Sequence, residues 1–170
     1  MYAGVEPAAL FRSNDGGESW DEMTGLTDHP TRQRWSPGFG GLCLHSMILD
    51  PTANERMWVG MSAAGVFGTE DGGKSWAPMN KGVRADFMPD RFSEFGQGTH
   101  KMLSHPSSPE VLYQQNHCGV FRSDNRGGEG VDVTEGLPSR FVLGLHSQDP
   151  DTPYTCHPKT TRWATRPAAR

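Results

Sequence analysis

Residues 10–23, LFRSNDGGESWDEM, and residues 66–79, VFGTEDGGKSWAPM, decide how this chain folds. Both carry the pattern Ser/Thr-x-Asp-x-Gly-x-Ser/Thr-Trp. It is filled once by Ser13, Asp15, Gly17, Ser19 and Trp20, and again by Thr69, Asp71, Gly73, Ser75 and Trp76. Each residue type has a task in a tight turn. The Asp carboxylate accepts backbone N–H groups, as in an Asx-turn. The pairs Gly16–Gly17 and Gly72–Gly73 supply positive φ without a Cβ penalty. The hydroxyls tie off neighbouring backbone groups. The Trp buries a large apolar face beneath the turn, provided its N–H finds a partner. Each segment reads as a clasp between two strands.

Residues 120–133, VFRSDNRGGEGVDV, are a third and altered copy. Ser123, Asn125 and Gly127 keep the turn, but Glu129 and Gly130 stand where the hydroxyl residue and the Trp are expected. Losing a buried indole costs very roughly 3–5 kcal/mol, so this clasp is expected to be the weakest. The opening residues Ser13, Thr69 and Ser123 stand 56 and 54 positions apart. A second element shares that period. Residues 48–60, ILDPTANERMWVG, align with residues 103–115, LSHPSSPEVLYQQ, and more weakly with residues 145–155. Each copy reads as an apolar strand, a Pro turn, and a second strand carrying Trp58, Tyr113 or Tyr154. A glycine, a strand, the motif turn and a fourth strand complete the unit. Four short strands per repeat, without helical periodicity, predict an all-β chain: a partial β-propeller of about three four-stranded blades joined by Asp-containing hairpin turns.

Composition agrees with many short strands and turns. Gly (21) and Pro (13) are frequent among the 170 residues, while 5 Trp and 8 Phe argue against disorder. Charges are mixed along most of the chain and sum to −4, with no basic run that would track phosphates outside the basic tail from Lys159 to Arg170, so nucleic acid is not an expected partner. No apolar stretch is long enough to span a membrane. The N-terminus lacks the charged and apolar regions of a signal peptide, which makes the cytoplasm the default expectation. Cys43, Cys118 and Cys156 are too few and scattered for a disulfide framework.

The motif resembles the Asp-box of the BNR-repeat families, which include sialidases, other glycoside hydrolases, sortilin-type receptors and a photosystem assembly factor. In those families the box sits in a turn at the blade periphery, away from the active site. A closer likeness, to bacterial sialidase-like or glycosyl-hydrolase-like BNR proteins, is carried by residues 2–13, 42–46, 79–87, 113–124 and 135–141. The resemblance covers roughly residues 2–154 and implies the fold more than an activity. Residues 1–154 are therefore expected to form the propeller segment, entered mid-blade at the strand before the first box. Residues 155–170 read as a non-propeller tail whose composition fits a shifted reading frame. An open arc of blades exposes strand edges, so self-association through those edges is expected.

No catalytic residues are assigned from the sequence. A sialidase needs an arginine cluster, a Tyr–Glu nucleophile pair and an acid/base Asp. Here Arg12 and Arg122 fall in strands before boxes, and no tyrosine pairs with a Glu. The leading expectation is a non-catalytic binding or scaffold segment for a glycan or protein ligand; the alternative is a sialidase-like glycoside hydrolase. The long connections at residues 29–46 and 81–101 are the places for a site. His45, Arg84, His100, Lys101 and His117 are the candidate ligand-binding residues. Neither a metal nor a cofactor is expected, since no Cys-x-x-Cys or His-Glu-x-x-His spacing occurs.

Overall fold

In the computed structural model the described residues are 1–137, 140, 143–146, 149–157 and 160–165. They form four antiparallel sheets. β1 (Tyr2–Val5), β2 (Ala9–Arg12) and β3 (Asp21–Glu22) make the first, in that order. β4 (Leu44–Leu49), β5 (Met57–Met61), β6 (Gly65–Thr69) and β7 (Ala77–Pro78) make the second. β8 (Thr99–His105), β9 (Ser108–Asn116), β10 (Gly119–Ser123) and β11 (Val131–Asp132) make the third. β12 (Leu143–His146), β13 (Asp149–His157) and β14 (Thr160–Thr165) pair as the last. One turn of helix, α1 (Thr24–Thr27), and a 3-10 turn (Arg32–Arg34) are the other regular elements among the described residues.

The two complete sheets have the four-strand order that the repeat predicts. The motif turns join strands three and four: β2 to β3, β6 to β7 and β10 to β11. By that alignment β1 is equivalent to β5 and β9. The first sheet thus starts one strand earlier than the sequence reading placed it. Backbone pairing also runs past Tyr154, through Thr155↔Ala164 and His157↔Thr160. Residues 158, 159 and 166–170 of the expected tail lie outside the described residues.

Successive sheets stack because their middle strands are apolar on both faces, as in any sheet covered on two sides. All five residues of β5, MWVGM, are buried. Alternation sends Met57, Val59 and Met61 into one core with Leu10, Met23, Leu26 and Leu44. Trp58 faces the other way, packing with Val66, Met102 and Leu112. The same alternation places Tyr113 with Val111 and Val120 on the far side of the third sheet. The first strands of the sheets lie side by side, β1 by β4, β4 by β8 and β8 by β12. They form the inner edge of the arc, and the motif turns clasp its outer edge.

The turn geometry follows the residue roles. Thr69 Oγ1 donates to Asp71 Oδ1 at 2.8 Å and accepts the Gly73 N–H at 2.9 Å. The Ser75 N–H reaches Asp71 Oδ1 at 2.9 Å, and the Ser75 hydroxyl reaches Oδ2 at 2.6 Å. The Trp76 indole N–H donates to Gly73 O at 3.1 Å. The first turn repeats the set through Ser13, Asp15, Gly17, Ser19 and Trp20. The two indoles differ in burial. Trp76 is 6 % exposed, against Met23 from the preceding sheet, whereas Trp20 is 39 % exposed. The expected burial beneath the turn therefore holds for Trp76 and fails for Trp20. Met23 lies against the second turn at Gly73, whereas the atoms nearest Gly17 belong to Trp20 itself and Met1.

Candidate functional site

The two long connections lie over one end of the sheets. The first is fixed by the Leu42 N–H donating to Glu6 Oε1 (3.2 Å) and the Ser62 hydroxyl donating to Gly41 O (2.9 Å). The second is held by the Gly96 N–H on Ala64 O (2.9 Å) and by the Asn80 amide on Glu94 O (3.0 Å). Both therefore cover the turns that join second and third strands. His45 and His100 open β4 and β8 at that same end, and His117 sits in the β9–β10 turn.

Three of the candidate residues come together. The His100 and His117 rings stand at 82° with their Nε2 atoms 3.1 Å apart, so one of the two nitrogens carries the proton between them. His45 Nε2 donates to Thr99 O at 2.9 Å, which fixes that nitrogen as protonated and seats the ring beside His100. Nδ1 of His45 meets the Ser46 hydroxyl at 3.0 Å. Phe87 places its ring edge-on to His117. Partial desolvation, then the charges of His117 and His45, hold the His100 imidazole below its ordinary value. All three rings are exposed.

Two other candidates are placed differently. Lys101 is exposed on β8, next to His100. Arg84 is committed to the structure: it donates to Cys118 O at 3.0 Å and meets Asp86 at 3.2 Å and Asp132 at 3.5 Å. It braces the loop against the β9–β10 turn beside the histidines. No group of three or more His, Cys, Asp or Glu side chains among the described residues is disposed to hold a metal ion.

One signal escaped the sequence reading. Register shifts between Leu44 and Ser46 in β4, and between Thr99 and Lys101 in β8. His45 and His100 are the extra residues of two equivalent β-bulges. A bulge re-aims a side chain, and such bulges recur beside functional sites. The spacing of the two histidines, which equals the repeat, was the available hint.

The carboxylates with displaced ionisation lie elsewhere. The Ser75 hydroxyl and N–H, then Thr69, hold Asp71 well below the usual carboxylate range, and Ser19 and Ser13 do the same for Asp15. Burial works to raise Asp50, but bonds from Thr52 and Arg56 outweigh it and bring it to about 2. A cleft of about 800 Å³ opens at the outer edge between β3 and the second motif turn, walled by Arg12, Asp21, Glu22, Asp28, Lys74 and Trp76 among others. It is the seam between two blades, with charges of both signs and no convergent set of donors. No helix among the described residues is long and apolar enough to cross a membrane.

No family model and no curated protein matches the sequence. Solved structures do match. The Niastella koreensis GH74 enzyme aligns with a TM-score of 0.57 and 15 % identity, covering 90 % of this chain and 22 % of that one. YCF48 bound to D1 peptide aligns with a TM-score of 0.51 and 14 % identity, covering 96 % of this chain and 50 % of that one. The GH74 xyloglucanase from Xanthomonas campestris aligns at 0.44 and 16 % identity, covering 90 % of this chain and 33 % of that one. The chain thus spans between 22 % and 50 % of the length of the structures it matches. At these identities the likeness carries the fold alone: the chain is a partial β-propeller.

Proposed function

We propose that the chain is an Asp-box propeller segment that serves as a binding scaffold, with its ligand face on the inner strands and the connections at their end. The observation that carries this reading is the convergence of exposed His45, His100 and His117 at that edge. The motif turns have a different task, since every group in them is spent on the turn itself. A peptide suits the inner face. One propeller with this fold carries a bound peptide, and edge-on Phe87 with the histidine rings offers both apolar and hydrogen-bonding contact. The glycosidase reading draws less support. The carboxylates with displaced ionisation, Asp15, Asp50 and Asp71, are engaged in their own turns. Self-association belongs with the same reading, because β1 presents a strand edge.

The test runs the purified chain over a peptide array and, separately, against a panel of fluorogenic glycosides. Peptide capture that weakens when His45 and His117 become Gln, with no turnover, supports the scaffold. Turnover that a loop substitution abolishes would replace it with the hydrolase reading.

A further inference from the structure

The first strands carry a one-sided set of side chains. β4, β8 and β12 read LHSMIL, THKMLSH and LGLH: four histidines, one lysine, and neither Asp nor Glu. The outer edge carries carboxylates beside Arg12 and Lys74. β3 is Asp21–Glu22, β11 ends on Asp132, and the first two turns add Asp15 and Asp71. The acidic balance of the whole chain thus hides an inner edge that becomes cationic when its histidines take protons.

Geometry makes that edge a site. The two bulges place His45 and His100 at the same point of successive sheets, and the β9–β10 turn adds His117. While the Nε2 atoms of His100 and His117 touch, the pair is short of one proton. A ligand that only accepts hydrogen bonds lets both rings donate instead. An ionised carboxylate is purely an acceptor.

We propose that His100 and His117, with His45 beside them, form a carboxylate-binding site that takes an acidic side chain or the terminal carboxylate of a peptide. The proposal rests on the reading of the inner strands as a peptide-binding face. The surrounding charges favour it. Lys101 on β8 is cationic, and the sequences of β4 and β12 contribute only further histidine. The covering loop brings Asp86, which Arg84 and Arg91 meet at 3.2 and 2.9 Å, and Arg84 also meets Asp132 across the β10–β11 pair.

The site has a pH dependence of definite sign. His100 titrates below the ordinary histidine value of 6.5, so its charge appears only under that pH. A bound carboxylate favours the protonated ring. Affinity therefore strengthens as pH falls through the histidine range and is lost as pH rises through it.

The experiment uses three probes on the full chain: a Glu-rich peptide, the same peptide with every Glu replaced by Gln, and free glucuronate. Binding is measured by calorimetry at about pH 5 and about pH 8, where histidine is charged and neutral. The Glu peptide should bind about tenfold more tightly at the lower pH, as charge-assisted bonds replace neutral ones. His100→Gln and His117→Gln should flatten that dependence while leaving the unfolding midpoint unchanged. Equal binding of the Glu and Gln peptides, or a dependence that survives both substitutions, overturns the carboxylate site and leaves the peptide-binding face standing. Binding of glucuronate alone keeps the site and overturns the peptide. Failure of all three probes overturns both.

Discussion

The second and third motif turns share a backbone and differ in what anchors it. Both close with the opening hydroxyl on the glycine N–H, at 2.9 Å in each. Asn125 Oδ1 replaces the Asp71 carboxylate oxygen and receives the Glu129 N–H at 2.9 Å. Two features are missing from the third turn: the hydroxyl bond to a second carboxylate oxygen, and the Trp. Two others replace them. The Gly130 N–H donates to Lys81 O at 2.8 Å, and the Trp58 indole N–H of the preceding sheet donates to Arg126 O at 2.9 Å. The second turn is closed from within, and the third is held from the neighbouring blade. An Asp-x-Gly-x-Ser-Trp string is thus one of at least two ways to fix this hairpin.

The largest effect should come from Trp76→Ala. It removes a buried ring that seals the first two sheets and leaves Gly73 O without its donor, a loss of about 3–5 kcal/mol. Urea unfolding followed by circular dichroism reads it. Trp20→Ala should cost about 1 kcal/mol or less, since that ring is largely in solvent. Equal losses would show that the turn itself, and not the seam, is what the Trp stabilises.

Trp58→Phe keeps the apolar packing and removes the bond to Arg126 O, so about 1–2 kcal/mol should be lost. Hydrogen exchange should locate that loss at the Gly127 and Glu129 amides. Exchange unchanged there would break the claim that the third turn is held from outside.

Arg126 occupies the place of Gly16 and Gly72 at φ 59°, a region costly for a side chain. Arg126→Gly should therefore raise stability by about 1 kcal/mol. A destabilisation would mean that the arginine side chain itself fastens the turn.

The smallest effect separates the turns by acid. Asp15 and Asp71 sit below their ordinary value of 3.8 because hydrogen bonds favour the carboxylate. Their contribution is full above that pH and is lost as pH falls through the depressed value. Asn125 does not titrate. Amide-exchange protection at Ser19 and Ser75 should therefore fall on acidification below pH 3.8 while that of Glu129 holds, its acceptor being unchanged. A parallel fall at all three would contradict the difference.

Much of this was legible in the sequence because turn chemistry is local. Asp15, Gly17, Asp71 and Gly73 declare their roles within eight residues, and the shared spacing of Trp58 and Tyr113 declares the second strand. What depends on the neighbouring blade was not legible. Trp20 and Trp76 close the same motif and differ in burial, because Met23 lies against the second turn. Arg84 reads as a spare cation until Asp86, Asp132 and Cys118 O surround it. His45 and His100 stand out in the sequence for lying after long loops, but the bulges that aim them are a matter of register, which alternation alone does not reveal.

The stacking of sheets into blades is tested most directly by equilibrium urea unfolding with two probes. Circular dichroism follows all the sheets. Tryptophan fluorescence follows Trp35 and Trp76 in the core between the first and second sheets, and Trp58 in the core between the second and third. Because β5 contributes to both cores, the two signals should fall in a single, coincident transition. Two separated transitions, or a broad one without a common midpoint, would contradict the stacked arrangement.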